Sequence, residues 1–129
     1  MGETIKQNGE NVSEPAWNLA ELLERVDNDR ELIRELLTIF REDFPRTLQS
    51  LETAVSAGDL KNSAALSHTL KGMLASLGVT RAAAAAAKIE KMASASAEKE
   101  SLKEAFKALR HEADTLMPEL EAYVTEVPR

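Results

Sequence analysis

Cysteine is absent from the 129 residues. That excludes disulfides, thiolate zinc sites and a cysteine nucleophile, and makes an intracellular, cytoplasmic location the simplest expectation. No stretch approaches the roughly 18 consecutive apolar residues that a membrane-crossing helix needs. The opening MGETIKQNGENVSEP lacks the apolar core of a signal peptide, and Lys6 stands where a myristoylation motif wants Ser or Thr. Residues 1–14 therefore read as a disordered tail or an expression remnant, and residues 15–127 as one helical domain. Also missing is any period-two alternation long enough for a strand. The class that remains is all-α.

A hydrophobic content of 43% suffices for a modest core, and the net charge of −6 argues against a general nucleic-acid or anionic-membrane surface. The charge is unevenly spread. Residues 61–91 hold Lys61, Lys71, Arg81, Lys88 and Lys91 against Glu90 alone, a net +4, so the remainder carries −10.

Helical periodicity divides the chain into five segments. Asn18 followed by Glu21 resembles a capping box and predicts a short helix carrying Leu19, Leu22 and Leu23 that ends near Val26. Asn28 with Glu31 repeats the signal and opens a long helix with the stripe Ile33, Leu36, Leu37, Phe40, Phe44, Leu48, Leu51 and Val55, stopped by Gly58. Pro45 lies inside this stripe, which keeps its phase beyond it, so the proline bends the helix without ending it. Asp59 is the N-cap of a third helix reaching Leu77 or Gly78. The fourth runs from about Arg81 to Ala95, and its six-alanine run reads as helix packing without chemistry. After a turn at SASAEKES, the last helix carries Leu102, Phe106, Leu109, Ala113, Leu116, Leu120 and Val124, with a bend at Pro118. Short connections between long amphipathic helices predict an antiparallel four-helix bundle, the short first helix covering one end. Trp17 and Tyr123 are expected to anchor the two chain ends, and His111 to lie with Arg110, Glu112 and Asp114 on a solvated face.

The third helix contains SHTLKG, residues 67–72. At about 100° per residue, Leu66, Leu70, Met73, Leu74 and Leu77 share one face, and His68 points roughly 175° away from it. Around it lie Ala64 and Gly72, one turn to either side, with Lys61, Lys71 and Ala75. An exposed helix face usually carries long charged side chains, and a glycine inside a helix costs about 1 kcal/mol relative to alanine. Helix geometry leaves two readings open: an ordinary surface histidine beside a chance glycine, or a ring kept clear for a partner.

Three chemistries use such a histidine. Metal binding needs more ligands than His111 offers, with no HExxH and no ExxH pair present. General acid–base catalysis needs a concave pocket and an orienting carboxylate, and the sequence places no acid within one turn of His68. Covalent catalysis fits better, because a neutral imidazole accepts a phosphoryl group on a ring nitrogen and Lys71 can hold the negative charge. Nothing local supplies ATP, Mg²⁺ or a phosphate loop, so the donor chemistry must come from another protein.

His68-Thr69-Leu70-Lys71-Gly72, followed by Gly78, resembles the H-x-L-K-G-x₅-G signature of histidine-containing phosphotransfer (HPt) domains, and the resemblance covers roughly residues 16–124. Ser67 and Met73 depart from the commonest pattern but leave the histidine, lysine and glycine in place. The resemblance implies a phosphocarrier of a bacterial-type multistep phosphorelay, with no ATP site or cofactor of its own. His68 would shuttle the phosphoryl group between aspartates of response-regulator receiver domains, each bringing its own Mg²⁺. Lys71 would stabilise the phosphoryl group, and Lys61, Ala64, Ala65, Gly72 and Ala75 would form the docking surface. The expected molecule is a monomer with no nucleic-acid or membrane contact, either free-standing or part of a hybrid sensor histidine kinase or a chemotaxis-type kinase. The rival class is a helical interaction module whose histidine is never phosphorylated.

Overall fold

Asn18 opens the first helix, α1 (Leu19–Arg25), in the computed structural model, which describes residues 17–126. Its side chain accepts the Glu21 amide at 3.0 Å, and Val26 closes the helix. The expected tail, residues 1–14, lies outside the described residues.

The second helix starts one residue later than the sequence suggests. Asp27 and Asn28 adopt left-handed backbone, φ 58° and 62°, a region that short polar side chains tolerate. Asn28 thus belongs to the turn, donating its amide to the Leu23 carbonyl at 2.7 Å. Asp29, with extended backbone, caps α2 (Arg30–Ala57) by accepting the Leu32 amide at 3.0 Å. Pro45 sits on an exposed turn of α2, and the helix runs through it with Phe40, Phe44, Leu48, Leu51 and Val55 all buried. Gly58, at φ 73°, ends it.

Asp59 caps α3 (Leu60–Ser76) through the Asn62 amide. That hydrogen bond holds its carboxyl below the usual carboxylate range, with the Asn62 side chain adding to the effect. Gly78, at φ 75°, leads into α4 (Thr80–Ser94), which begins without a side-chain cap. The expected turn at SASAEKES is shorter than its sequence, because α5 (Lys99–Glu126) already takes up Lys99. α5 continues through Pro118.

Among the described residues there are five helices and no strand. α2 packs on α3, α3 on α4, α4 on α5, and α5 returns to α2, enclosing a core of which Phe44, Leu51, Leu70, Leu74, Ile89, Leu109 and Leu116 are fully buried members. No helix among the described residues is long and apolar enough to cross a membrane. The Trp17 indole N–H donates to the Leu77 carbonyl at 2.9 Å, and its ring meets Tyr123 edge-on at 5.5 Å. Arg25 of α1 donates to the Ala75 and Ser76 carbonyls in the last turn of α3, at 3.5 and 3.3 Å. A side chain at Gly78 would meet Arg25 and the Asn18 carbonyl at 3.5 Å, so this glycine marks where α1 lies against the α3–α4 corner.

The packing adds detail to three of the expectations. The buried face of α3 is rotated from the leucine stripe: Ser63 and Ser67 are wholly buried, whereas Leu66 and Met73 are only partly so. Small side chains let α4 approach closely, which outweighs hydrophobicity in deciding what faces inward. The alanine run divides, with Ala82 and Ala86 buried, Ala83, Ala85 and Ala87 intermediate, and Ala84 exposed. His111 lies on a solvated face as expected, with Asp114 exposed beside it, while the half-buried Arg110 and Glu112 reach sideways to pair with Glu52 of α2 and Arg81 of α4.

Candidate functional site

His68 lies in the middle of α3 with its side chain 67% exposed. The flanking helix supplies what the local sequence lacks. Glu90 of α4 places Oε2 3.0 Å from His68 Nδ1, and its other oxygen, Oε1, lies 2.9 Å from Lys71 Nζ. One carboxylate therefore bridges both residues of the motif. The position follows from helix phase, since Ala86, Ile89 and Ala93 bury the inner face of α4 and leave Glu90 at the edge facing α3.

The Lys71 ammonium, with a smaller contribution from His68, holds the Glu90 carboxyl below its ordinary range. Glu90 is therefore ionised at neutral pH and accepts only. Nδ1 of a neutral His68 must then be the donor, which leaves the lone pair on Nε2. In that tautomer the exposed ring presents the Nε2 lone pair, with the Lys71 cation about one helical turn away.

The acid thus comes from across the helix pair, although the sequence places none within a turn of His68. Its signal was present as the one acidic residue in the basic segment 61–91. Helix-by-helix projection misses it because pairing of α3 with α4 is a tertiary fact.

The other residues singled out by the sequence are distributed as follows. Lys61, Ala65, Gly72 and Ala75 are exposed on α3, and Ala64 is partly buried against the core. A Cβ built on Gly72 meets nothing within 4 Å. Among the described residues, no neighbouring helix or loop therefore requires a glycine there. On the α4 side, Lys71, Ala75, Thr80, Ala83 and Ala84 line a shallow groove of about 370 Å³ together with Glu21 and Arg25 of α1. On the α2 side, a groove of about 190 Å³ is lined by Leu36, Ile39, Phe40, Asp43, Met73, Ser76 and Leu77. Ile39, 58% exposed, is one of two large apolar side chains left in solvent among the described residues, the other being Leu32. His111 is remote in the chain and its ring has no such setting, and no group of three or more potential metal ligands occurs among the described residues.

The profile of the Hpt domain family matches residues 35–125. The chain belongs to the Hpt family. Hpt domains are phosphocarriers of phosphorelays, without an ATP site of their own, and interact with receiver domains and kinases. The match runs from within α2 through nearly all of α5, and so includes His68, Lys71, Gly72 and Glu90. Neither a curated protein nor a solved structure matches the sequence.

Proposed function

We propose that this Hpt domain shuttles a phosphoryl group between receiver-domain aspartates through phosphohistidine at Nε2 of His68. The observation that carries the reading is the Glu90–Nδ1 hydrogen bond at 3.0 Å, which assigns the ring proton to Nδ1 and the lone pair to Nε2 of an exposed imidazole. In the accepting direction Nε2 attacks the phosphorus of an aspartyl phosphate. The N–P bond forms as the bond to the acyl oxygen breaks, and the aspartate leaves with the electron pair. Lys71 faces the charge that gathers on the phosphoryl oxygens, and the receiver brings its own Mg²⁺.

In-line transfer holds the imidazole and the aspartate on opposite sides of one phosphorus, which brings two backbones close together. The bare surface of Lys61, Ala64, Ala65, Gly72 and Ala75 suits that approach, and the apolar groove at Ile39 and Met73 extends it towards α2. The supporting frame is an antiparallel four-helix bundle with α1 across one end, acting as a cytoplasmic monomer, free-standing or within a hybrid sensor kinase.

Incubation with a phosphorylated receiver should give an acid-labile, alkali-stable label. His68→Gln should abolish it and leave the helical content unchanged, because the side chain is exposed. His111→Gln should label as the parent does. Label retained in His68→Gln, or lost in His111→Gln, overturns the assignment; no label in the parent protein favours an interaction module.

A further inference from the structure

Glu90 joins two groups with one carboxylate, and its bond to Nδ1 bears on the phosphorylated state as well as the free one. Once Nε2 carries phosphorus, the ring can release it by two routes. With a proton on Nδ1 the departing group is neutral imidazole, and without that proton it is the far poorer imidazolate. We propose that Glu90 is a positioning residue that keeps the proton on Nδ1 of phosphorylated His68, and so holds the phosphoryl group in its transferable form to a higher pH than the ring alone would allow. The inference rests on the reading of His68 as the phosphoacceptor. It adds a distinct role, because fixing the tautomer of the free ring does not require that the phosphorylated ring remain protonated.

The balance of the step is simple. The Nε2–P electron pair returns to Nε2, the proton stays on Nδ1 hydrogen-bonded to Glu90, and the phosphoryl group passes to a receiver carboxylate or to water. A carboxylate 3.0 Å away stabilises the cationic phosphoimidazolium over its deprotonated form. Lys71 acts in the opposite sense, as a cation on the same helix that competes for Glu90 at 2.9 Å. From the packed elements, α1 brings Glu21 and Arg25 to the groove that Lys71 lines, and α2 brings Asp43 to the groove beside Met73 and Ser76. On α4 Lys91 adjoins Glu90, and on α3 Lys61 lies two turns before His68. Glu90 is the acid within hydrogen-bonding distance of the ring.

The test loads the full chain with phosphoramidate, which needs no docking surface, and follows the phosphohistidine signal by ³¹P NMR across pH. The parent, Glu90→Gln, Glu90→Ala and Lys71→Ala proteins are compared, with circular dichroism to verify folding. In the parent, hydrolysis should fall off at the pH where Nδ1 loses its proton. In both Glu90 variants that midpoint should move down by about one pH unit, so that above it the hydrolysis rate drops about tenfold. Below it the rates should coincide. Lys71→Ala should move the midpoint upward. Equal midpoints in the parent and Glu90 variants, or a rate lowered by one factor at every pH, overturn the proposal and leave the phosphoacceptor reading standing. Failure of phosphoramidate to load His68 in the parent overturns both.

Discussion

Ser63 Oγ is wholly buried on α3 and has no hydrogen-bond partner among the described residues, whereas Ser67 Oγ, one turn on, donates to the Ser63 carbonyl at 2.7 Å. An unpaired buried hydroxyl costs about 1–3 kcal/mol, and a net intrahelical bond contributes little to folding. The two serines therefore predict different outcomes in urea denaturation. Ser63→Ala should stabilise the domain by about 1 kcal/mol, since alanine keeps the close α3–α4 approach and removes the unpaired group. Ser67→Ala should be near neutral. Destabilisation in Ser63→Ala would mean that its hydroxyl has a partner. Both serines lie in the turns next to His68, so the small side chains that let Glu90 reach the ring from α4 are also the ones that carry this cost.

At the scale of the helix, Gly72 sets stability against function. With open space where its Cβ would stand, it relieves no contact inside the domain, yet it weakens α3 by about 1 kcal/mol relative to alanine. Gly72→Gln should hold or raise the thermal midpoint, leave phosphoramidate labelling intact, and slow receiver-dependent transfer at least tenfold, because a long side chain one turn from His68 blocks the closest approach. Normal exchange with the receiver would show that the glycine is incidental. This distinction was half legible in the sequence. The outward direction of His68 and the bareness around it follow from 3.6-residue periodicity within one helix. Glu90, Ser63 and Ser67 do not, since their roles depend on which helix lies alongside α3 and how closely. The displaced start of α2 has a more local cause: Asn28 and Asp29 are both good caps in isolation, and only the left-handed turn at Asp27 and Asn28 decides between them.

Charge is organised on the scale of the whole molecule. The segment 61–91, which is most of α3 and α4, carries net +4 in a chain of net −6, and Lys61, Lys88 and Lys91 are exposed on it. By contrast, three ion pairs that cross between helices away from His68, Arg41–Glu121, Arg110–Glu52 and Arg81–Glu112, have partly exposed side chains, a setting in which each contributes about 0–1 kcal/mol. Salt should therefore separate folding from recognition. Stability in urea should change by no more than about 1 kcal/mol between about 0.05 M and 0.5 M NaCl, because the buried leucines and phenylalanines dominate it. Association with a receiver should respond much more strongly. A pocket that binds Mg²⁺ is lined with carboxylates, so the basic face should draw it in, and the second-order transfer rate should fall about tenfold over the same range. Replacing Lys61 and Lys91 together by Glu should reproduce most of that fall at low salt and flatten the salt dependence. A transfer rate indifferent to salt in the parent protein would mean that the separation of charge between the two halves of the bundle plays no part in finding the partner.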